Sequence, residues 1–174
     1  QAWCSGEIDF LRKRVDAGAA RLGVGFGCEL LATAAGAAVK PMLHREFGVF
    51  PTLLTDEGLT EPLFAGFPPV FDAVHWHLHV VALPRDARWL AMSERCSTQA
   101  FRVRNAFGVQ FHLEASPPMI ADRVSEYADE IKQIAARIPK PGATLIDEVR
   151  RHEKTIEARG EKLAANFIEF VKTK

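Results

Sequence analysis

Two segments of this sequence hold residues whose types and spacing could do covalent chemistry. In Leu22-Gly23-Val24-Gly25-Phe26-Gly27-Cys28-Glu29-Leu30-Leu31, a short apolar run passes straight into a helix-forming run, with glycines on both sides of the turn. A buried strand that turns sharply into a helix is how a nucleophile elbow is built, because its central residue sits in a strained conformation and glycines allow the flanking backbone to approach. The helix N-terminus behind it offers free N–H groups to a developing anion. Phosphate loops and plain tight turns use the same residues. In Ala106-Phe107-Gly108-Val109-Gln110-Phe111-His112-Leu113-Glu114, a strand ends in His-x-Glu. A histidine held by a carboxylate is the base half of a nucleophilic triad, and the spacing lets both side chains fall on one side of an extended stretch.

Two further groups are candidates on type alone. Cys28 lies three residues past Gly25, in the first helical turn, where the dipole lowers a thiol pKa. It projects in another direction from the elbow residue, so it is expected to be a small packed side chain. His75, His77 and His79 alternate and share one face of a strand, but neighbours two apart sit about 6.6 Å from each other, and zinc would need ligands from elsewhere. No metal is expected there.

The elements that must position these residues follow from hydrophobic period. Residues 5 to 19 read as an amphipathic helix capped by Ser5, with Ile8, Leu11, Val15 and Ala19 on its apolar side. A strand over 21 to 26 and a helix from Cys28 to Val39 follow. The period then changes to two, giving strands at 48 to 55, 74 to 83, 89 to 93, 100 to 104 and 107 to 111, separated by turn-forming residues such as Asp56-Glu57-Gly58 and Pro84-Arg85-Asp86. Pro117-Pro118 opens a helix to about Arg137, and Pro139-Lys140-Pro141-Gly142 breaks it. Residues 143 to 171 form a long charged helix with an apolar stripe of Ile146, Val149, Ile156, Leu163, Phe167, Ile168 and Val171, expected to dock on its own domain. The pattern predicts an α/β sheet with an antiparallel extension.

With 174 residues, 48% of them hydrophobic and 25% charged, the chain has room for one packed domain with a tail. Basic and acidic residues both number 22, so no net field draws it to nucleic acid or an anionic membrane, and no apolar run approaches the roughly 20 residues of a membrane span. Three cysteines without a Cys-x-x-Cys pair argue against a disulfide framework or a zinc ribbon and fit a reducing, cytoplasmic setting. The opening Gln1-Ala2-Trp3-Cys4 has no signal-peptide shape, and the chain reads as cut from something longer.

Taken together, the two segments resemble the class I glutamine amidotransferases, most closely the stand-alone GMP-synthase-like members. That family's pattern is Gly-x-Cys-x-Gly-x-Gln at the elbow and Gly-x-Gln-Phe-His-Pro-Glu near the end. This chain has Gly23 to Glu29 and Gly108 to Glu114 at those places, with Arg45-Glu46-Phe47-Gly48, His75-Trp76-His77, Leu83-Pro84, Ser93-Glu94-Arg95-Cys96 and Gln99-Ala100-Phe101-Arg102 between them. The resemblance covers residues 3 to about 135. It implies a flavodoxin-like domain over 1 to 138, incomplete at its N-terminus with its first strands missing, a mostly parallel sheet with an antiparallel extension, and a C-terminal helical extension over 139 to 174. It also implies hydrolysis of L-glutamine to glutamate and ammonia for a synthase, with His112 as general acid/base, Glu114 orienting it, and Phe26, Gly27 and Glu29 at the substrate. No cofactor is implied, and the partner would be a synthase subunit or a second copy.

The departures bear on activity. Gly25 stands where the family has its nucleophilic Cys, Glu29 replaces the family Gln, and Leu113 replaces Pro. The expected protein is therefore catalytically impaired. The alternatives are a non-catalytic binding or regulatory homologue and a truncated fragment.

Overall fold

The computed structural model describes residues 2–129, 131 and 142–174. Helix α1 (Ala2–Asp16) leads into strand β1 (Arg21–Val24) and helix α2 (Phe26–Ala34). A strand β2 (Val39–Leu54), a one-turn helix α3 (Asp56–Leu59), a 3-10 turn at Pro62–Phe64 and strand β3 (Val70–Val81) follow, and then β4 (Arg88–Met92), β5 (Ala100–Val103), β6 (Ala106–Val109), α4 (Pro117–Glu126) and α5 (Gly142–Lys172). Ser5 lies inside α1, so the expected cap at that residue is corrected: the helix starts three residues earlier.

Among the described residues six strands form one sheet in the order β1-β6-β5-β4-β2-β3. The expectation of a mostly parallel sheet is corrected here, because β1 and β6 pair in parallel and, among the described residues, every other strand pairing is antiparallel. Turns join consecutive strands such as β5 and β6 directly, which only antiparallel neighbours allow, whereas the parallel pair is linked by the whole intervening chain. Strand β2 begins well before residue 48 and tracks β3 from Val39↔Val81 to Leu53↔Val70, with a register shift between Pro41 and Glu46.

Each face of the sheet carries a core. On one, α1 and α2 supply Val15, Cys28, Leu31 and Ala32 against Val81, Phe101, Val103 and Ala106. On the other, α4 and α5 cover Phe71, Val74, Phe107, Val109 and Phe111. The stripe of α5 is Leu145, Val149, Ile156, Leu163 and Phe170, all buried, while Ile168 and Val171, expected in it, are exposed. The helix is pinned by polar bonds as well: Asn166 donates to the carbonyls of Leu63 and Ala65, and Arg159 to that of Asp72. Of the helix expected from Pro117 to about Arg137, α4 accounts for Pro117–Glu126, with Tyr127 as its C-cap; residues 132 to 141 lie outside the described residues, and Gly142, expected in the break, is the first residue of α5.

Candidate functional site

Strand β1 ends at Val24, and the backbone reverses at Gly25 with φ 55° and ψ −114° before α2 begins. This is a left-handed conformation that L side chains enter only at a cost and glycine adopts freely. The turn is held to the neighbouring strand by Gly25 N–H donating to Val109 O at 2.8 Å, and to its own helix by Cys28 N–H donating to Gly25 O at 2.9 Å. Gly25 is the N-cap residue of α2 and makes no side-chain capping bond.

Beyond β6 the chain is strapped to the sheet. Gln110 N–H donates to Gln99 O at 2.8 Å, and His112 exchanges backbone bonds with Val74 of β3 at 2.7 and 3.2 Å. These ties aim the His112 ring at Gly25: a methyl group built on Gly25 would stand 2.6 Å from His112 Cε1 and 3.0 Å from Nε2. His112 Nδ1 lies 2.6 Å from Glu114 Oε1, within hydrogen-bond distance of the carboxylate, and Nε2 is the ring nitrogen nearer Gly25. Burial alone would raise the Glu114 carboxyl, but the bond from His112, a backbone N–H bond and the nearby Arg123 charge together outweigh it and hold that carboxyl below its ordinary range. The pair is therefore a base with an orienting carboxylate, facing a residue without a side chain.

An open cavity of about 470 Å³ surrounds this point. Phe26 and Glu29 stand in its wall with Gly25, His112 and Glu114, whereas Gly27 does not. Trp76, His77, His79, Gln110 and Arg123 are among its other lining residues; sequence alone weighs His77 and His79 only as zinc ligands and assigns no role to Arg123. The motif Gly108-Val109-Gln110-Phe111-His112 already carries the signal for Gln110. Cys28 is fully buried against the other face of the sheet, and burial pushes its thiol well above the ordinary range.

His75, His77 and His79 do share a face, and the first two converge on Glu46 rather than on each other. Glu46 is almost fully buried and accepts from Ser93 Oγ at 2.7 Å and from Gln99 Nε2 at 2.7 Å, with His75 Nδ1 at 3.3 Å and His77 Nε2 at 3.1 Å. Desolvation would raise this carboxyl, but the bonds from His75, His77 and Ser93 prevail and hold it far below the carboxylate range. Burial lowers His75. Donor atoms of Glu46, His77 and Cys96 lie within 4.8 Å of one another. The Gln99 amide nitrogen already sits against Glu46, His75, His77 and Ser93, so a metal ion there would have to displace it and deprotonate a thiol that burial raises to about 12. Those ligand atoms are already engaged in a hydrogen-bonded network, in which the buried Gln99 amide oxygen alone has no partner among the described residues.

A sequence profile of the family described as glutamine amidotransferase class-I matches residues 1–124. The chain belongs to that family. This amidotransferase-family chain is 32% identical over 111 residues to the glutamine amidotransferase-like protein YfeJ of Salmonella typhimurium, covering 63% of the chain and 46% of that protein. It is 32% identical over 105 residues to the GMP synthase (glutamine-hydrolyzing) of Thermomicrobium roseum, covering 59% of the chain and 19% of the relative. The chain thus spans less than half the length of either. A glutamine amidotransferase from Methylobacillus flagellatus superimposes with a TM-score of 0.85 at 22% identity, over 97% of this chain and 70% of the other. One from Thermotoga maritima gives 0.83 at 23% identity, over 95% and 69%. These two show the shared α/β fold. Among the described residues no helix is long and apolar enough to cross a membrane.

Proposed function

We propose that this family member does not hydrolyse glutamine and acts instead as a non-catalytic ligand-binding homologue. The observation that carries the reading is the contact between Gly25 and His112: the base and its carboxylate are in place, and the residue they face offers no atom to attack an amide. In the family mechanism a thiolate attacks the glutamine carboxamide, ammonia leaves, and water hydrolyses the thioester. Here no thioester can form at Gly25. Cys28 does not substitute, since it is sealed in the core behind the helix. Removing a nucleophile from a triad costs about a millionfold in rate in a well-studied serine protease.

L-Glutamine, the family substrate, is the first ligand to try, and a synthase subunit or a second copy is the partner the family reading supports. Three free cysteines support a reducing, cytoplasmic setting. Incubation with L-glutamine and an ammonia-coupled assay tests the central claim. The expected result is no turnover above the uncatalysed rate, unchanged in Cys28→Ser. Turnover that Cys28→Ser abolishes would overturn it.

A further inference from the structure

Strand β1 is bonded along one edge. Arg21 N–H donates to Asn105 O and, just past the strand, Gly25 N–H donates to Val109 O. The alternation of a parallel strand therefore turns the backbone N–H and C=O groups of Leu22 and Val24 away from β6, toward an edge that no strand among the described residues covers. The side chains of Leu22 and Val24 line a groove of about 500 Å³ between that edge and α5, with Leu163 on the helix side. Glu153, Glu157 and Glu161 line it too, and all three are exposed. They recur every four residues, so like charges stand about 6.0 Å apart along one ridge of the helix, a spacing that works against helix stability. Elsewhere on α5, Asp147 pairs with Arg150 and Glu169 with Lys172, but among the described residues no cation pairs with these three glutamates.

The groove thus joins unpaired backbone, apolar surface and a row of uncompensated negative charge. An extended chain whose alternate residues are basic answers all three. Its backbone continues the ladder at Leu22 and Val24. Its alternate side chains fall on one face about 6.6 Å apart, close to the repeat of the glutamate ridge. A Lys or Arg at those positions lays its alkyl stem on the apolar wall while its charged head reaches a carboxylate. Nucleic acid and acidic peptides are repelled by the same row. A second copy is a poorer occupant, because its β1 carries one basic residue, Arg21, and it brings its own glutamates. We propose that the β1 edge and the acidic ridge of α5 form a docking groove for an extended basic segment of a partner protein, bound by strand addition.

The test uses the intact chain and a fluorescein-labelled heptapeptide, Thr-Lys-Val-Lys-Val-Lys-Thr. Its controls are the same residues in the order Lys-Lys-Lys-Val-Val-Thr-Thr, and a version with Glu in place of each Lys. Fluorescence anisotropy follows binding to the native protein and to the combined variant Glu153→Gln, Glu157→Gln, Glu161→Gln, whose folding is checked by its helix signal in circular dichroism. Hydrogen exchange follows the amides of Leu22 and Val24. The expected result is saturable binding of the alternating peptide alone, with both amides slowed. Binding to the combined variant should be weaker by about tenfold, which is what a few exposed ion pairs together supply. No saturable binding, equal binding by the variant, equal binding of the reordered peptide, or binding that leaves both amides unprotected would each overturn the proposal. Protection of those amides that rises with protein concentration and persists in a saturating excess of the peptide would mean that a second copy holds the groove, and the proposal falls.

Discussion

At Gly25 a side chain is excluded twice over, once by the backbone and once by its neighbour. A non-glycine residue at φ 55° and ψ −114° is strained, and its Cβ would press on the His112 ring at 2.6 Å. Gly25→Cys is therefore expected to lose about 1–3 kcal/mol of stability rather than simply regain a nucleophile. Because part of that loss is the clash with one ring, Gly25→Cys combined with His112→Ala should cost less than the sum of the two single changes. Thermal melts of the three variants check this, and additive losses would mean the ring does not oppose the thiol. Glu46 gives a second expectation. Its carboxyl lies well below its ordinary 4.5 when folded, so it stabilises the fold above that pH, and the contribution drains away as pH falls toward the folded value. His75, lowered from 6.5 by burial, acts in the same direction: the unfolded chain takes up its proton first, so stability begins to fall below about pH 6.5. Glu46→Gln should cost about 2–4 kcal/mol at neutral pH and flatten the acid limb below pH 4.5 in urea titrations; a limb unchanged by the substitution would refute the assignment. The His112 and Glu114 pairing could be read in the sequence because it needs only two residues at fixed spacing. The Glu46 network could not, because its members come from β2, β3, the loop after β4 and the approach to β5.

Among the elements, α5 shows where local propensity and packing disagree. Gly160 is in the middle of this 31-residue helix, where alanine would ordinarily gain about 0.5–1 kcal/mol. A methyl group there would stand 2.6 Å from the carbonyl oxygen of Leu113, the residue after His112. The close approach of helix to backbone is thus part of what positions the His112 segment. Gly160→Ala is expected to lose about 1–3 kcal/mol net, the overpacking term outweighing propensity, and to shift the His112 ring resonances. A melting temperature that rises would show that α5 can lift without cost. The long helices and most strands are legible in the sequence because each declares its own period, 3.6 or 2. Two features were not. The first half of β2 contains Pro41 and the charged pair Arg45-Glu46, which break alternation, and it is a strand because β3 is long enough to pair with it. Strand direction is also silent, since the side-chain period is the same in parallel and antiparallel pairs.

For the whole molecule, the decisive feature is the outer edge of the sheet at β1. That strand pairs with β6 on one side, and among the described residues no strand pairs with the other. Beside it lies a second cavity, of about 500 Å³, walled by Leu22, Val24, Phe111 and Leu113 from the sheet side and by Leu163 and Ala164 of α5, with Glu153, Glu157 and Glu161 also in its lining. An open strand edge next to apolar surface is a template for pairing with another chain, and charged side chains on the edge are how proteins suppress it. In β1 only Arg21 is charged, at the first position. The isolated chain is therefore expected to self-associate as its concentration rises, and Leu22→Lys to shift the equilibrium toward monomer. Sedimentation velocity over a wide dilution series measures this for both proteins, with the helix signal in circular dichroism showing that the variant is folded. A native chain that stays monomeric and melts cooperatively at every concentration would mean that the β1 edge and its cavity are closed by the fold itself.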